Sequence, residues 1–118
     1  MARPCGLPKG IRLRSKREIA EVFQRGKYHA LGVLHAKTLR TELEETRFLI
    51  SVKRAIGNAP RRNRIKRLVR ETIRRHRHEL AQPHDICFFL TSKPQSPLSL
   101  SAIEAEFEKL IIQLSEQR

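Results

Sequence analysis

The sequence predicts an α+β domain, a two-layer α/β sandwich built from a small mixed sheet and flanking helices. Two apolar segments of strand length, 48–52 and 85–91, enclose a long amphipathic segment at 60–80, which gives a strand–helix–strand order. Amphipathic patterns also occur near both ends of the chain, and we expect these two helices to pack on one side of the sheet. The 118 residues are enough for a single domain, predicted at 13–118 after a basic flexible arm at 1–12.

The first helix is predicted to begin at Ser15, a typical N-cap residue, with Glu18 placed three residues later for a capping box. Its apolar stripe consists of Ile19, Val22 and Phe23. Residues 28–39 then have a short pattern that is compatible with β-structure. The polar, acidic residues 41–46 are typical of a hairpin connection to the strand at 48–52.

A long helix is predicted from residue 60 to about residue 80, after a turn at 57–60 and before Pro83. Pro60 suits its first position, where the missing N–H costs nothing. At about 100° per residue, one stripe is apolar and consists of Ile65, Leu68, Val69, Thr72, Ile73 and Leu80. The row of cations turned away from it consists of Lys66, Arg67, Arg70, Arg74 and Arg77. Cations stacked at one-turn intervals repel each other, so this helix indicates a polyanionic partner.

The last third of the chain is predicted to contain one strand and one helix. The continuous apolar run at 85–91 is typical of a strand that is central in a sheet or buried on both faces. Residues 92–99, with two prolines, predict a loop. In the last helix, Ser101 and Glu104 are a capping-box candidate. Its apolar stripe consists of Ile103, Phe107, Leu110, Ile111 and Leu114.

The net charge of +13 is concentrated in one part of the chain. Residues 1–78 hold 22 Lys and Arg against 6 Asp and Glu, whereas residues 79–118 hold 3 against 6. Nucleic acid, anionic lipid and acidic protein are the candidate partners. No stretch approaches the ~20 apolar residues of a membrane span, and the basic helix lacks aromatic residues on its apolar stripe, so no membrane partner is predicted. Most of the cations between residues 53 and 77 are Arg, which binds phosphate bidentately, and nucleic acid is therefore favoured.

The sequence offers no grouped catalytic side chains. Cys5 and Cys87 provide no disulfide framework, which is consistent with a reducing, intracellular compartment. The spacing His-x-His-x5-His-x2-Cys, from His76 to Cys87, matches no common zinc site. The 12 acidic residues are scattered. We therefore predict no catalytic residue and no metal site made of protein side chains.

One motif resembles that of a known family. Gly57-Asn58-Ala59 is followed, from Arg62 to Arg70, by Arg-Asn-Arg-Ile-Lys-Arg-Leu-Val-Arg. This run closely resembles the signature of the protein subunit of bacterial ribonuclease P, and the likeness covers about residues 11–115. The resemblance implies an α/β sandwich whose βαβ crossover is left-handed, against the usual right-handed rule. It also implies a cytoplasmic protein that binds a catalytic RNA and precursor tRNA. That RNA uses magnesium ions to remove the 5′ leader, and the protein alone is expected to be inactive.

The resemblance implies two surfaces that bind RNA. The residues expected to contact the catalytic RNA are Lys53, Arg54, Asn58, Arg61, Arg62, Asn63, Arg64, Lys66, Arg67, Arg70 and Arg74. The residues expected to line a cleft for the single-stranded leader are Ile19, Phe23 and Tyr28. The family often has an aromatic residue at the position of Ile19, and isoleucine cannot stack on a base as a ring would. Phe23 lies on the apolar stripe of the first helix, so it suits either the core or the floor of the cleft.

Two other functions are compatible with part of these observations. A ribosomal or ribosome-associated RNA-binding protein would permit the same composition and fold, and it is the main alternative. A DNA-binding regulator is disfavoured, because the basic helix follows a strand and not a helix and short turn. Magnesium is the only cofactor expected, and we expect the RNA subunit to hold most of it.

Overall fold

The computed structural model describes residues 9–116 of the chain. Its helices are α1 (Lys16–Arg25), α2 (Ala59–His76) and α3 (Leu100–Glu116), and its strands are β1 (Lys27–Ala30), β2 (His35–Arg40), β3 (Arg47–Ser51) and β4 (His84–Phe89). Single turns of 3-10 helix occupy Lys9–Ile11, Arg54–Ile56 and Arg77–Glu79. The strands form one sheet in the order β1-β2-β4-β3, in which β3 and β4 are parallel and the other neighbours are antiparallel. The predicted α+β class, with a mixed sheet and flanking helices, is confirmed.

The strand β4 lies in the middle of the sheet, between β2 and β3. Its residues from His84 to Phe88 are all buried, as the apolar run predicts for a central strand. The predicted hairpin at 41–46 is wrong. These residues connect β2 to β3, but both strands pair with β4 and not with each other. The most apolar strand takes the centre, where both of its edges and both of its faces are covered.

Helices cover both faces of the sheet. The apolar side chains of β4 alternate between the two faces, so both faces must be covered. Ile86 and Phe88 lie on the face covered by α2 and α3, and the ring centroid of Phe107 in α3 is 5.8 Å from that of Phe88. Cys87 lies on the opposite face, in a smaller apolar cluster with Val22 of α1. The expectation that both terminal helices share one side is therefore wrong: α3 joins α2, whereas α1 covers the part of the other face that contains Cys87.

The helix ends are set by side chains that bind free backbone N–H groups. Ser15 caps α1 as predicted, since its Oγ accepts a hydrogen bond from the N–H of Glu18 at 3.3 Å. The Glu18 carboxylate binds an arginine of β3 instead of completing a capping box. The predicted cap at Ser101 is wrong, because the Oγ of Ser99 accepts from the N–H of Ala102 at 3.2 Å and α3 begins one residue after Ser99. The glutamate that Ser101 would need is bound to a histidine of α2.

The helix α2 is shorter than predicted at its C-terminal end. It stops at His76, and the 3-10 turn Arg77–Glu79 tightens the chain before residue 80. At its start, Asn58 is the N-cap and Ala59 is the first helical residue, so Pro60 takes the second position and not the first. Both positions lie in the first turn, where proline is tolerated because the N–H groups have no partner within the helix.

The predicted flexible arm at 1–12 lies mostly outside the described residues. Residues 9–12 differ from the prediction, because Ile11 is buried in the main core and Arg12 forms a parallel bridge with Phe48 of β3. The N–H of Leu13 then donates to the carbonyl oxygen of Phe48 at 2.9 Å. Ile11 and Leu13 enter the apolar clusters on the two faces of the sheet. This short segment therefore extends the sheet at the outer edge of β3.

Candidate nucleic-acid interface

The turn that precedes α2 is held by contacts between neighbouring residues. Ile56 is buried in the main core. Asn58 caps the helix, and its Oδ1 accepts a hydrogen bond from the N–H of Arg61 at 3.0 Å. The Nε of Arg62 donates to the carbonyl oxygen of Gly57 at 3.1 Å. Asn58 and Arg62, two of the predicted RNA-binding residues, thus have contacts within the protein that fix where α2 begins.

The helix α2 has one buried face and one charged face, as its pattern predicts. The buried residues are Ile65, Val69, Thr72 and Ile73. The hydroxyl of Thr72 donates to the carbonyl oxygen of Leu68 at 2.9 Å, so this buried polar group is paired. Leu68 is half-buried, and Leu80 lies beyond the end of the helix. The predicted residues on the charged face are exposed or half-exposed and are Asn63, Lys66, Arg67, Arg70 and Arg74.

The cations of α2 differ in whether a carboxylate neutralises them. In the C-terminal half, Glu71 accepts hydrogen bonds from Arg74 and Arg75, which lower the pKa of Glu71 to about 2. Arg77 pairs with Glu45 at 3.1 Å. Between Arg61 and Arg70, six cations form no ion pair with any side chain of residues 9–116. Arg62 and Arg64 donate to backbone carbonyl oxygens instead, and the other four are Arg61, Lys66, Arg67 and Arg70.

The start of α2 is therefore strongly electropositive. A helix N-terminus carries a partial positive charge and favours acidic residues, yet the first turn of α2 contains none. Two further exposed cations, Lys53 and Arg54, precede it. We call these six residues the basic surface: Lys53, Arg54, Arg61, Lys66, Arg67 and Arg70. Phosphate groups are the ligands that such a helix start and its cations favour.

Arg64 lies to one side of the basic surface, next to the loop at 92–99. Its Nη2 donates to the carbonyl oxygen of Leu98 at 3.1 Å. Between this loop and the start of α2 is a cavity of about 330 Å³, lined on the helix side by residues that include Ile65 and Leu68. Arg64 is thus placed between the basic surface and an apolar hollow.

A second candidate surface lies on the sheet face that α1 covers only in part. Four rings cluster there, which we call the aromatic patch: Phe23, Tyr28, His35 and Phe89. The ring centroid of Phe89 is 5.8 Å from that of Phe23 and 6.4 Å from that of Tyr28. The His35 ring stacks on both Tyr28 and Phe89, with 5.6 Å between centroids in each pair. Phe23 is 36% exposed and Tyr28 is 49% exposed, so the patch is open to solvent and Phe23 is a surface residue.

Polar groups hold the aromatic patch in place. The Tyr28 hydroxyl is hydrogen-bonded to Nδ1 of His35, and the hydroxyl of Thr91 lies 3.1 Å from Nε2 of the same ring. The Nζ of Lys37 donates to the carbonyl oxygen of Phe23 at 2.6 Å and lies 6.0 Å from the centroid of its ring. The patch therefore combines flat rings with one nearby cation, which is the combination that single-stranded nucleic acid requires.

The sequence prediction missed His35 and Phe89. They meet because His35 and Phe89 are partners in the pairing of β2 with β4. On its other side, His35 is the partner of Ala30 in the pairing of β1 with β2. The only local signal was the alternation of the 85–91 run, which places Phe89 on the same face as Cys87. No feature of the sequence near His35 indicates which residue it pairs with in the sheet.

Ile19, the third residue predicted to line the cleft, is not part of the aromatic patch. It is half-buried and packs against the apolar cluster of Leu13, Val22 and Cys87 beneath α1. Phe23 follows it by four residues on the same helix and lies at the surface. The structure thus brings Phe23 and Tyr28 together through Phe89 and places Ile19 in the apolar layer under α1.

The basic surface and the aromatic patch begin at the same end of the sheet. Ser51 and Phe89 are partners in the parallel pairing of β3 with β4. From Ser51 the chain passes through Lys53 and Arg54 to the start of α2. Although α2 packs on the opposite face of the sheet, its basic surface therefore starts close to the strand ends that carry the patch.

At the other end of the same face, Arg47 joins β3 to β4 and to α1. Its Nη2 lies 2.7 Å from Oδ2 of the buried Asp85 and 3.0 Å from Oε2 of Glu18. The hydrogen bonds from Arg47 lower the pKa of Glu18, and the hydrogen bonds to Asp85 and then to Glu18 raise the pKa of Arg47. Arg47 and Asp85 are thus engaged with each other and hold the layers together.

Residues 9–116 contain neither a group of metal-ligating side chains nor a membrane-spanning helix. No three side chains of His, Cys, Asp or Glu are grouped so that they would hold a metal ion in this part of the chain. No helix among the same residues has the length and apolar character needed to span a membrane.

Comparisons with known proteins agree with one another. The family model described as Ribonuclease P matches residues 7–115. The ribonuclease P protein component of Desulfosudis oleivorans is 35% identical over 106 residues, which cover 90% of this chain and 84% of that protein. The ribonuclease P protein component of Bacillus velezensis is 33% identical over 105 residues, which cover 88% of this chain and 89% of that protein.

Solved structures with the same name are similar in fold. The RNase P protein from Thermotoga maritima has a TM-score of 0.77 at 27% identity, covering 86% of this chain and 96% of that one. The RNase P protein of Staphylococcus aureus has a TM-score of 0.75 at 24% identity, covering 92% and 97% respectively. At that identity the second comparison bears on the fold alone.

Proposed function

Because this chain belongs to the ribonuclease P protein family, we propose that its basic surface binds the RNA subunit of ribonuclease P and that its aromatic patch holds the 5′ leader of precursor tRNA. Family membership makes the chain a component of a tRNA-processing ribonuclease, and it decides against the ribosomal alternative. The proposed RNA-binding region includes the residues that flank the basic surface or fix its turn, which are Asn58, Arg62, Asn63, Arg64 and Arg74.

The observation that carries this proposal is the uneven pairing of cations along α2. Arg74 and Arg75, and Arg77 just beyond the helix, have carboxylate partners, whereas the cations from Arg61 to Arg70 have none among residues 9–116. Like charges on neighbouring helical turns repel, and the positive end of the helix adds to this repulsion. An RNA backbone would supply the missing negative charge at regular intervals, and each phosphate contact would release condensed counterions.

The aromatic patch supports the assignment of the leader to the second surface. A leader is single-stranded, so its bases are free to stack on exposed rings, and each stacked base contributes about 1–3 kcal/mol. The exposed rings of Phe23 and Tyr28 offer two such platforms, and Lys37 lies next to the Phe23 ring. Because mature tRNA lacks the leader, this surface would favour precursor over product.

We assign the chemistry of cleavage to the RNA subunit and to magnesium ions that the RNA holds. Asp85, the carboxylate in β4, is buried and hydrogen-bonded to Arg47, so it is not free to act as a base or a metal ligand. In this proposal the protein neutralises phosphates on both RNAs, so that they approach each other with fewer magnesium ions. The proposed location is the cytoplasm, where bacterial tRNA is transcribed and matured.

Reconstitution tests the proposal. The full chain is mixed with the RNA subunit of a bacterial ribonuclease P and a precursor tRNA, and cleavage is measured at a magnesium concentration at which the RNA alone is slow. The expected result is faster cleavage at the mature 5′ end, with no cleavage by protein from which copurifying RNA has been removed. Failure to stimulate at any magnesium concentration would refute the proposed function, and cleavage by RNA-free protein would refute the assignment of the chemistry.

A further inference from the structure

The cavity of about 330 Å³ between the start of α2 and the loop at 92–99 shares only Arg61 with the basic surface and no residue with the aromatic patch. Its helix side is apolar, formed by Ile65 and Leu68. Its loop side includes Pro94 and Pro97, whose rings are apolar and rigid. A hollow with apolar walls on two sides suits a flat apolar group that enters from the solvent.

The rim of this cavity is cationic. Arg61 and Arg64 both line it, and no acidic residue does. The guanidinium of Arg64 is held in place by the carbonyl oxygen of Leu98, which leaves its other N–H groups for a ligand. Arg61 forms no ion pair within residues 9–116. The ligand that fits this rim therefore carries an anionic group next to its flat apolar part.

We propose that the cavity binds one unpaired nucleotide of the RNA subunit. Its base would lie between the prolines of the loop and the apolar side chains of α2, and its phosphate would contact Arg61 and Arg64. This inference rests on the proposed function, because Arg61 belongs both to the basic surface and to the rim of the cavity. A strand whose phosphates follow the basic surface passes the cavity mouth at that residue.

The size of the cavity favours a single nucleotide over a larger ligand. Its volume is at the lower end of the range of about 300–1,000 Å³ that small-molecule pockets occupy. Sequence-specific RNA recognition usually involves unpaired bases that are splayed out of the strand. The cavity would thus recognise one position of the RNA, whereas the basic surface reads only its backbone.

The test fills the cavity without removing a cation. Ser96 and Gln95 are exposed residues that line it, so Ser96→Trp and Gln95→Trp each place a large ring in the hollow without disturbing the core. Ser92→Trp adds the same ring to the same loop outside the cavity and is the matched control. Affinity for the RNA subunit is measured as a function of salt for each full-length variant. Chemical probing of unpaired bases in the bound RNA is compared between them.

We expect the two filling variants to bind the RNA at least about tenfold more weakly, the factor that burying one apolar group of side-chain size supplies. The slope of log affinity against log salt should change by less than one phosphate contact, because Arg61 and Arg64 are unaltered and hold the phosphate at the rim when the base is displaced. One unpaired base protected by the wild-type protein should become reactive, with the rest of the protection unchanged. Ser92→Trp should behave as the wild type.

Other outcomes separate this inference from the proposed function. If the filling variants bind as tightly as Ser92→Trp and give the same protection pattern, the cavity holds no nucleotide, even if the RNA binds the basic surface. If the wild-type protein does not bind the RNA subunit, the proposed function fails and the inference fails with it. If the filling variants lose the salt slope as well, the cavity is not a separate site but part of the backbone contact.

Discussion

The clearest test of the basic surface compares two arginines on the same helix. Arg67 and Arg75 are both exposed residues of α2. Arg75 is bound to Glu71 at 3.0 Å and lies 3.7 Å from Glu104, whereas Arg67 forms no ion pair among the described residues. Arg67→Ala should therefore weaken binding of the RNA subunit, and Arg75→Ala should leave it nearly unchanged. The two variants remove the same side chain and the same charge, so they are matched controls for each other.

The size of the effect follows from counterion release. One phosphate contact contributes about 0.7–0.9 to the slope of log affinity against log salt. Between 50 and 200 mM salt, the loss of one such contact changes the ratio of wild-type to variant affinity by about threefold. If Arg61, Lys66, Arg67 and Arg70 each contact one phosphate, replacing all four with alanine should reduce the slope by roughly 3 to 4. Arg67→Ala should change the free energy of unfolding by less than about 0.5 kcal/mol, because it is an exposed substitution away from structural contacts.

The assay is a titration of labelled RNA subunit with protein at four or more salt concentrations, with the thermal stability of each variant measured in parallel. The expected pattern is a reduced slope for Arg67→Ala and the wild-type slope for Arg75→Ala. If both variants have the same slope as the wild type, the row of cations is a solvent-exposed face that does not bind RNA. Equal losses for both variants would show that partners within the protein do not decide which cations bind RNA.

Three further results are expected. Phe89→Ala should reduce the preference of the assembled enzyme for precursor over mature tRNA by up to the 1–3 kcal/mol or so of one stacked base, and an unchanged affinity ratio in a folded variant would place the leader elsewhere. Asp85→Ala should lower the free energy of unfolding by about 3 kcal/mol in urea titrations, since it removes the buried partner of Arg47, and a loss below roughly 1 kcal/mol would contradict this role. The hydrogen bond to Glu104 raises the pKa of His76 above 6.5, so the stability that this bond adds is complete below pH 6.5 and is lost as the pH rises through the raised pKa. His76→Gln should remove this decline, and an unfolding profile identical to that of the wild type would argue against the link between α2 and α3.

The parts of the fold that depend on neighbouring residues were predictable from the sequence. The helix α2 is specified by its turn, by Pro60 and by apolar residues such as Ile65 and Val69 at helical spacing, all of which act within a few residues of one another. The strand β4 was predictable for the same reason, because a short continuous apolar run is typical of a buried strand. The cap at Ser15 depends on one hydrogen bond to a residue three positions away.

The parts that depend on distant pairings were not predictable. The residues 41–46 have the composition of a hairpin, but the insertion of β4 between β2 and β3 decides their role. His35 and Phe89 form a patch only through the register of β2 with β4. Ion pairs between distant residues were not predictable either. The sequence shows a row of cations, but it does not show that Arg75 lies next to Glu104 of α3.

The cations of α2 that have no carboxylate partner among residues 9–116 affect the stability and turnover of the protein in the cell. In the free protein these cations repel each other at close range, which lowers the stability of the folded state, and a bound polyanion removes this repulsion. Any ligand that binds only the folded state adds to its stability in proportion to its concentration and affinity. Molecules without RNA are therefore expected to unfold more often and to be degraded sooner than assembled ones. The amount of this subunit would in this way follow the amount of its RNA, without a separate regulator.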